Sequence, residues 1–184
     1  MLFRSHFALT AQLLPRLAAT PLSRVVTVSS IAARNATLDF DNLDGTRGYN
    51  PMKFYRQSKL ANLLFAVELQ NRLESTGIST IRVACHPGIS ATNLLSRGSG
   101  KETWKIMKAL MRIVAQPADK GALPTLYAAT HPDLRGGEYI GPDGPGNHKG
   151  HPVLNNDVDR LYNPDLAARL WEVSESLTGV KYGI

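Results

Sequence analysis

The chain has 184 residues, 43% of them apolar, with a formal net charge of +6 and a pI near 9.6. That length fits one domain, and no apolar run is long enough to span a membrane. The single cysteine, Cys85, excludes an internal disulfide and suits a reducing cytoplasm, the expected compartment, while the scattered basic residues read as solvated surface and not as a nucleic-acid interface.

Residues 7–19 (FALTAQLLPRLAA) form the first predicted element. Pro15 and Arg16 interrupt its apolar stretch, so it reads as a packing helix and not as a signal peptide. Arg24 to Ser30 (RVVTVSS) is a short β-branched run, read as a buried strand ending in two hydroxyls. Asn50-Pro51 is a helix entry, because Asn caps and Pro suits the first helical position. From there Leu60, Leu64 and Val67, with Ala61 and Phe65, recur at helical spacing until Gly77 offers a stop. Thr80 to Cys85 (TIRVAC) is a second strand, closed by His86-Pro87-Gly88. Residues 89–100 read as a polar connection, and 102–115 carry Trp104, Met107, Leu110, Met111 and Val114 at helical spacing, a core or interface stripe. Another helix follows Pro117, with Pro124 kinking it near Tyr127. Glu138-Tyr139-Ile140 is a short third strand, and 141–156 is a Gly/Pro-rich loop at the mouth of the site. Asn163-Pro164 opens a terminal helix with Leu166, Leu170, Trp171 and Leu177 as buried candidates and Gly179 as its stop. The expected fold is α/β, with about three strands and four or five helices.

The chemistry-bearing pattern is Tyr55-Arg56-Gln57-Ser58-Lys59. A Tyr and a Lys four residues apart share one helix face, and an ammonium beside a phenol favours the phenolate, lowering its ordinary pKa of about 10. Such a group can protonate a carbonyl oxygen or take a proton from an alcohol. The spacing alone is a weak signal. Its neighbours strengthen it: Ser30 stands at the carboxyl end of a strand, where open α/β sheets place their ligands, so two strand ends and one helix start converge on one pocket. Other patterns fall short. His148 and His151, flanked by Asp143 and Asp157, lie in a loop without helical spacing or a clear third ligand, so no metal site is expected. Ser30 with His86 lacks the G-x-S-x-G elbow of a hydrolase. Cys85 reads as a buried structural thiol, and His86 as structural or cofactor-adjacent.

The ordered set Val28-Ser29-Ser30, Phe40-Asp41-Asn42-Leu43, Tyr55 to Asn62 (YRQSKLAN), His86 to Leu94 (HPGISATNL) and Gly136 to Pro142 (GGEYIGP) resembles the short-chain dehydrogenase/reductase family. Within it, the retinol-dehydrogenase-like and WW-domain-oxidoreductase-like branch is the nearest in pattern, and the resemblance runs from about His6 to the last residues. It implies the carboxyl-terminal half of a Rossmann-type doubly wound parallel sheet. The implied activity is that of an NAD(P)-dependent oxidoreductase interconverting an alcohol and a carbonyl. Carried over, the resemblance makes Tyr55 the catalytic acid/base and Lys59 the group that lowers its pKa and holds the nicotinamide ribose hydroxyls. Ser30 would hydrogen-bond the substrate oxygen, with Ser29 as its structural neighbour. Pro87 and Gly88, the backbone at Ser90 and the Thr92 hydroxyl would contact the carboxamide and phosphates. The implied cofactor is NAD or NADP, with NADP slightly favoured. The 102–115 segment falls where the family binds substrate, which favours a lipophilic small-molecule alcohol or carbonyl.

The same resemblance shows gaps. Family members carry a T-G-x-x-x-G-x-G turn that brings a helix N-terminus to the pyrophosphate, and these 184 residues contain none. Gly136-Gly137 is too short, and Gly98-Ser99-Gly100 follows a loop. The family's Asn-Asn-Ala-Gly turn is absent as well, and Leu2 stands where a fourth catalytic residue, an Asn, is expected. Met1 to Ser5 breaks a pattern that is clean from His6 onward, and a common sequencing adapter would encode this pentapeptide. Residues 1–5 are therefore expected to be a non-native scar, and 6–184 a partial NAD(P)-binding domain. The alternative function is a non-catalytic nucleotide-binding or dimerisation remnant. In the family, the helix holding Tyr55 and the one matching His6 to Leu17 commonly make a subunit interface, so a homo-oligomer is an expected partner.

Overall fold

The structure, a computed structural model, describes residues 3–90 and 115–184. Thr92 and the apolar stripe of 102–115 lie almost wholly outside the described residues. The chain opens with helix α1, Phe3–Ala18, which carries Pro15 inside it. Strand β1, Arg24–Val28, follows, and a 3₁₀ turn over Ile31–Asn35 continues from it. Helix α2 runs over Pro51–Ser75 and leads to strand β2, Ile81–Cys85. Helix α3 (Ala118–Thr130), strand β3 (Tyr139–Pro142), strand β4 (Pro152–Leu154), the short helix α4 (Asp157–Leu161) and helix α5 (Pro164–Thr178) complete the order.

The sheet runs β1-β2-β3-β4. β1 and β2 are parallel with Arg24 opposite Ile81 and Val28 opposite Cys85; β2 and β3 are parallel; β3 and β4 are antiparallel. β2 reads as a continuous run because both its faces are covered. Val83 and Cys85 pack with Ala128 of α3 and Ile140, while Ala84 packs with Leu63 and Ala66 of α2 and with Tyr139. Arg82 shares that second face, and its whole side chain is buried there. Its Nε donates to the Ala66 carbonyl, but Nη1 and Nη2 have no partner among the described residues. Burial lowers its pKa to about 9.

Local chemistry sets the helix ends. The Asn50 side chain accepts from Lys53 N, Pro51 sits at the first helical position, and Gly77 follows the end of α2 at a φ of +69°. The Asn163 side chain accepts from Leu166 N, and Gly179 closes α5 in the left-handed region. Between its ends α2 is buried on every side from Leu60 to Ala66, because it lies between the sheet, α1 and α5. Phe7 and Leu14 of α1 meet Phe65, Leu69 and Leu73 of α2, Trp171 of α5 and the tail residue Tyr182. The Tyr182 hydroxyl donates to the Phe7 carbonyl at 2.7 Å, fastening the end of the chain to its start.

Four expectations need correction. β1 is one edge of the sheet and not a fully buried strand: Arg24, Val25 and Val26 are half-buried and Val28 is exposed. The segment 141–156 is not all loop, since it holds β4, a three-residue edge strand that starts on a proline and so carries almost no sequence signal. The sheet accordingly has four strands among the described residues. Leu177 is exposed, because the buried stripe of α5 (Ala167, Leu170, Trp171, Ser174) ends one turn earlier and Leu177 joins none of the apolar clusters.

Candidate active site

The carboxyl end of β1 is stitched to the third turn of α2. The Ser29 hydroxyl donates to the Lys59 carbonyl at 2.7 Å, and the Val28 carbonyl accepts from Lys59 Nζ at 3.3 Å and from Asn62 Nδ2 at 3.1 Å. Ser29 N also donates to the Cys85 carbonyl at 2.7 Å, continuing the β1–β2 ladder past the last strand residue. The Ser30 hydroxyl accepts from Ala32 N at 3.2 Å and so caps the 3₁₀ turn that follows. That bond uses a lone pair and leaves the O–H proton free to donate elsewhere.

Tyr55 and Lys59 lie one helical turn apart, both half-buried, with Lys59 Nζ 5.9 Å from the centre of the Tyr55 ring. Burial holds the Lys59 ammonium below the usual lysine range. Its bond to Val28 is long and occupies one of three ammonium protons. The donor set of Lys59 Nζ, the Tyr55 phenol and the Ser30 hydroxyl fits the hydroxyls of a nicotinamide ribose and a reacting oxygen. For a pyrophosphate this sequence offers no glycine-rich turn.

Beyond β2, His86 is fully buried. Its Nδ1 lies 3.2 Å from the Gly88 N–H and its Nε2 lies 3.1 Å from the Asn155 side-chain nitrogen. Burial, then the Arg34 charge, lowers the imidazole pKa to about 4, against a smaller opposite pull from Asp157. The histidine is therefore neutral and structural near pH 7. Gly88 holds a φ of +66°, and a Cβ there would stand 2.3 Å from the His148 carbonyl oxygen. The Pro87 carbonyl accepts from the Ser90 hydroxyl at 3.1 Å and from Gln116 Nε2 at 2.9 Å, and Ile89 N donates to the His148 carbonyl at 2.7 Å. The turn Pro87–Ser90 is thus held by its own side chains and by the 143–151 loop. Cys85 is buried, its thiol pushed up by burial.

Two cavities open at the start of α2. One of about 470 Å³ is lined by Asp39, Asn42, Arg47, Tyr49 and Lys53, and a neighbour of about 400 Å³ by Asn35, Thr37, Met52 and Arg56. Neither is lined by Ser30, Tyr55 or Lys59. Among the described residues no group of three His, Cys, Asp or Glu is arranged to hold a metal ion, and no helix is long and apolar enough to cross a membrane. Asn62, Arg34, Asn155 and Gln116 are the side chains that sequence reasoning left without a role. Of these, Asn62 lay inside a quoted motif, whereas the others carry no local signal.

A mostly parallel sheet wrapped by helices, with Ser30 and the Pro87–Gly88 turn following two neighbouring strands, defines the class as an α/β protein of Rossmann type. Comparison with known proteins narrows this. The chain is 35% identical over 181 residues to human retinol dehydrogenase 14, covering 95% of this chain and 50% of the relative. It is 36% identical over 182 residues to the Bos taurus dehydrogenase/reductase SDR family member 13, covering 96% and 45%. The crystal structure of an uncharacterised protein from Mycobacterium paratuberculosis superposes with a TM-score of 0.73 at 36% identity, covering 98% of this chain and 58% of that one. No protein-family profile matches. The chain belongs to the short-chain dehydrogenase/reductase family, with retinol-dehydrogenase-like relatives. It spans about half the length of the curated relatives it matches.

Proposed function

We propose that this chain carries the nicotinamide and substrate half of an NAD(P)-dependent oxidoreductase that interconverts an alcohol and a carbonyl. The observation that supports this most is the stitching of the Ser30 turn to the helix turn of Tyr55 and Lys59 through Ser29, Asn62 and Val28. When bound, the nicotinamide supplies or accepts the hydride. The chain's own residues do the rest. Tyr55 takes the proton from the alcohol oxygen, or returns it to the carbonyl oxygen. Lys59 holds ribose hydroxyls with its remaining donors. Ser30, one of its two lone pairs taken by Ala32 N, donates its proton to the substrate oxygen and fixes it beside Tyr55. Pro87, Gly88, Ser90 and Thr92 would border the carboxamide and phosphates. The names of the relatives support a lipophilic alcohol as the substrate class.

The test is reduction of a lipophilic aldehyde with NADPH or NADH, alongside binding of reduced nicotinamide mononucleotide followed by its fluorescence. Tyr55→Phe should abolish turnover and spare nucleotide binding. Full activity in that variant would remove Tyr55 from the mechanism. The second reading is a non-catalytic nucleotide-binding or dimerising unit. Nucleotide affinity without any hydride transfer, or self-association without affinity, would select it.

A further inference from the structure

Arg34 occupies the 3₁₀ turn that Ser30 caps, and its guanidinium reaches across more than a hundred residues of sequence. Nε donates to Asp157 Oδ2 at 2.6 Å, Nη1 to the Gly146 carbonyl at 2.8 Å, and Nη2 to Asn147 Oδ1. The side chain is 22% exposed and that of Asp157 only 10%, so the pair is largely shielded from water.

Both arms of this fork end at Gly88. On one side, Asp157 N donates to Asn155 Oδ1 at 2.8 Å, the Asn155 side-chain nitrogen packs 3.1 Å from His86 Nε2, and the neutral ring, which accepts at one nitrogen only, takes the Gly88 N–H at Nδ1 at 3.2 Å. On the other, Gly146 and Asn147 sit at φ of +64° and +57° in a tight reversal, which Gly144 N closes onto the Lys149 carbonyl at 2.9 Å. The next residue, His148, presents its carbonyl to Ile89 N and stands directly over Gly88. Only a planar fork with several fixed donors can hold three acceptors in these directions, and a lysine ammonium cannot.

We infer that Arg34 is a positioning residue for the site: its guanidinium locks the Pro87–Gly88 turn to the Ser30 turn, and so sets the nicotinamide against the substrate oxygen. The assignment of those two turns to nicotinamide and substrate rests on the oxidoreductase reading above. The bond network itself does not. Catalytic geometry tolerates little slack, so loosening such a lock should weaken nucleotide binding even where the fold survives.

The experiment uses the full chain and three proteins: wild type, Arg34→Lys and Arg34→Ala. Circular dichroism reports the fold, amide and imidazole resonances report Gly88 and His86, and fluorescence titration reports affinity for reduced nicotinamide mononucleotide. Arg34→Lys should keep its secondary structure, displace the Gly88 and His86 resonances, and lose at least about tenfold in affinity, which is roughly 1.4 kcal/mol. Added guanidinium ion at millimolar concentration should restore part of the affinity of Arg34→Ala. Unchanged resonances and affinity in Arg34→Lys would overturn the inference. So would unfolding of that variant, which would make Arg34 a determinant of the fold and not of the site. If wild type shows no affinity for the nucleotide, the nicotinamide reading fails. In that event the Gly88 and His86 resonances alone decide whether Arg34 locks the two turns.

Discussion

Lys59 and Asn62 share one acceptor. The carbonyl of Val28, the last residue of β1, takes Lys59 Nζ at 3.3 Å and Asn62 Nδ2 at 3.1 Å. Asn62 is nearly fully buried, so its amide is a fixed neighbour of the ammonium and not a passing one. Converting it to a carboxylate places a negative charge beside Nζ without changing the shape of the side chain. Asn62→Asp should therefore raise the Lys59 pKa, which burial now holds down. Titration of methyl-labelled lysines by NMR reads this directly. An unmoved Lys59 signal would place Nζ away from the Val28 carbonyl.

Acid stability should depend on His86. An unfolded histidine takes up its proton near pH 6.5, whereas burial and the Arg34 charge hold folded His86 at about 4. Between those values the unfolded chain binds the extra proton, so stability falls as the pH drops from 6.5 to 4 and is independent of this group above 6.5. The gap corresponds to roughly 3 kcal/mol in full. His86→Gln has nothing to protonate in that window. Urea midpoints at pH 7, 5.5 and 4.5 should fall less steeply for the variant than for wild type, and parallel slopes would show that His86 titrates alike in both states.

Much of the fold was legible because its signals are local. Asn50-Pro51 and Asn163-Pro164 announce helix starts through a side-chain cap and a pre-set φ, while Gly77 and Gly179 announce stops through the left-handed region. The edge strand β4, three residues starting on a proline, and α4, a helical turn and a half, carry neither a side-chain cap nor a β-branched run, so they were not visible. The same division runs through the site. Ser30, Tyr55, Lys59 and the Pro87–Gly88 turn sit in compact motifs. Arg34, Asn155 and Asp157 meet only because the 3₁₀ turn after β1 folds against the start of α4, a contact spanning 123 residues that no local pattern encodes. Arg82 misleads in the other direction. A cation in the middle of a strand argues for an exposed face, yet this one is wholly buried.

That burial carries a cost. Nη1 and Nη2 of Arg82 lack partners among the described residues, and a buried guanidinium held only by the Nε bond to the Ala66 carbonyl is costly to desolvate. Methionine keeps the length and flexibility of the stem and removes the charge. Arg82→Met should leave the protein at least as stable as wild type, with a gain on the order of 1 kcal/mol appearing as a rise in Tm of about 2–4 °C. A drop of several degrees would show that the guanidinium is satisfied by ordered water and that its bonds outweigh its desolvation.

Two glycines with nearly the same backbone allow a clean comparison. Gly77 and Gly88 hold φ of +69° and +66°, so alanine is strained at both by about 1–2 kcal/mol. At Gly77 a Cβ meets nothing within 4 Å, and the strain is the whole cost. At Gly88 it meets the His148 carbonyl oxygen at 2.3 Å, the same oxygen that accepts from Ile89 N. That oxygen belongs to backbone held by Arg34 through Gly146 and Asn147, so it cannot retreat without breaking the lock. Gly88→Ala should therefore lose at least about 1–2 kcal/mol more than Gly77→Ala, and should also weaken binding of reduced nicotinamide mononucleotide, which Gly77→Ala leaves intact. Urea midpoints and nucleotide titrations on the two variants decide this. Equal losses of stability would mean that the 143–151 loop yields freely and does not hold the Pro87–Gly88 turn.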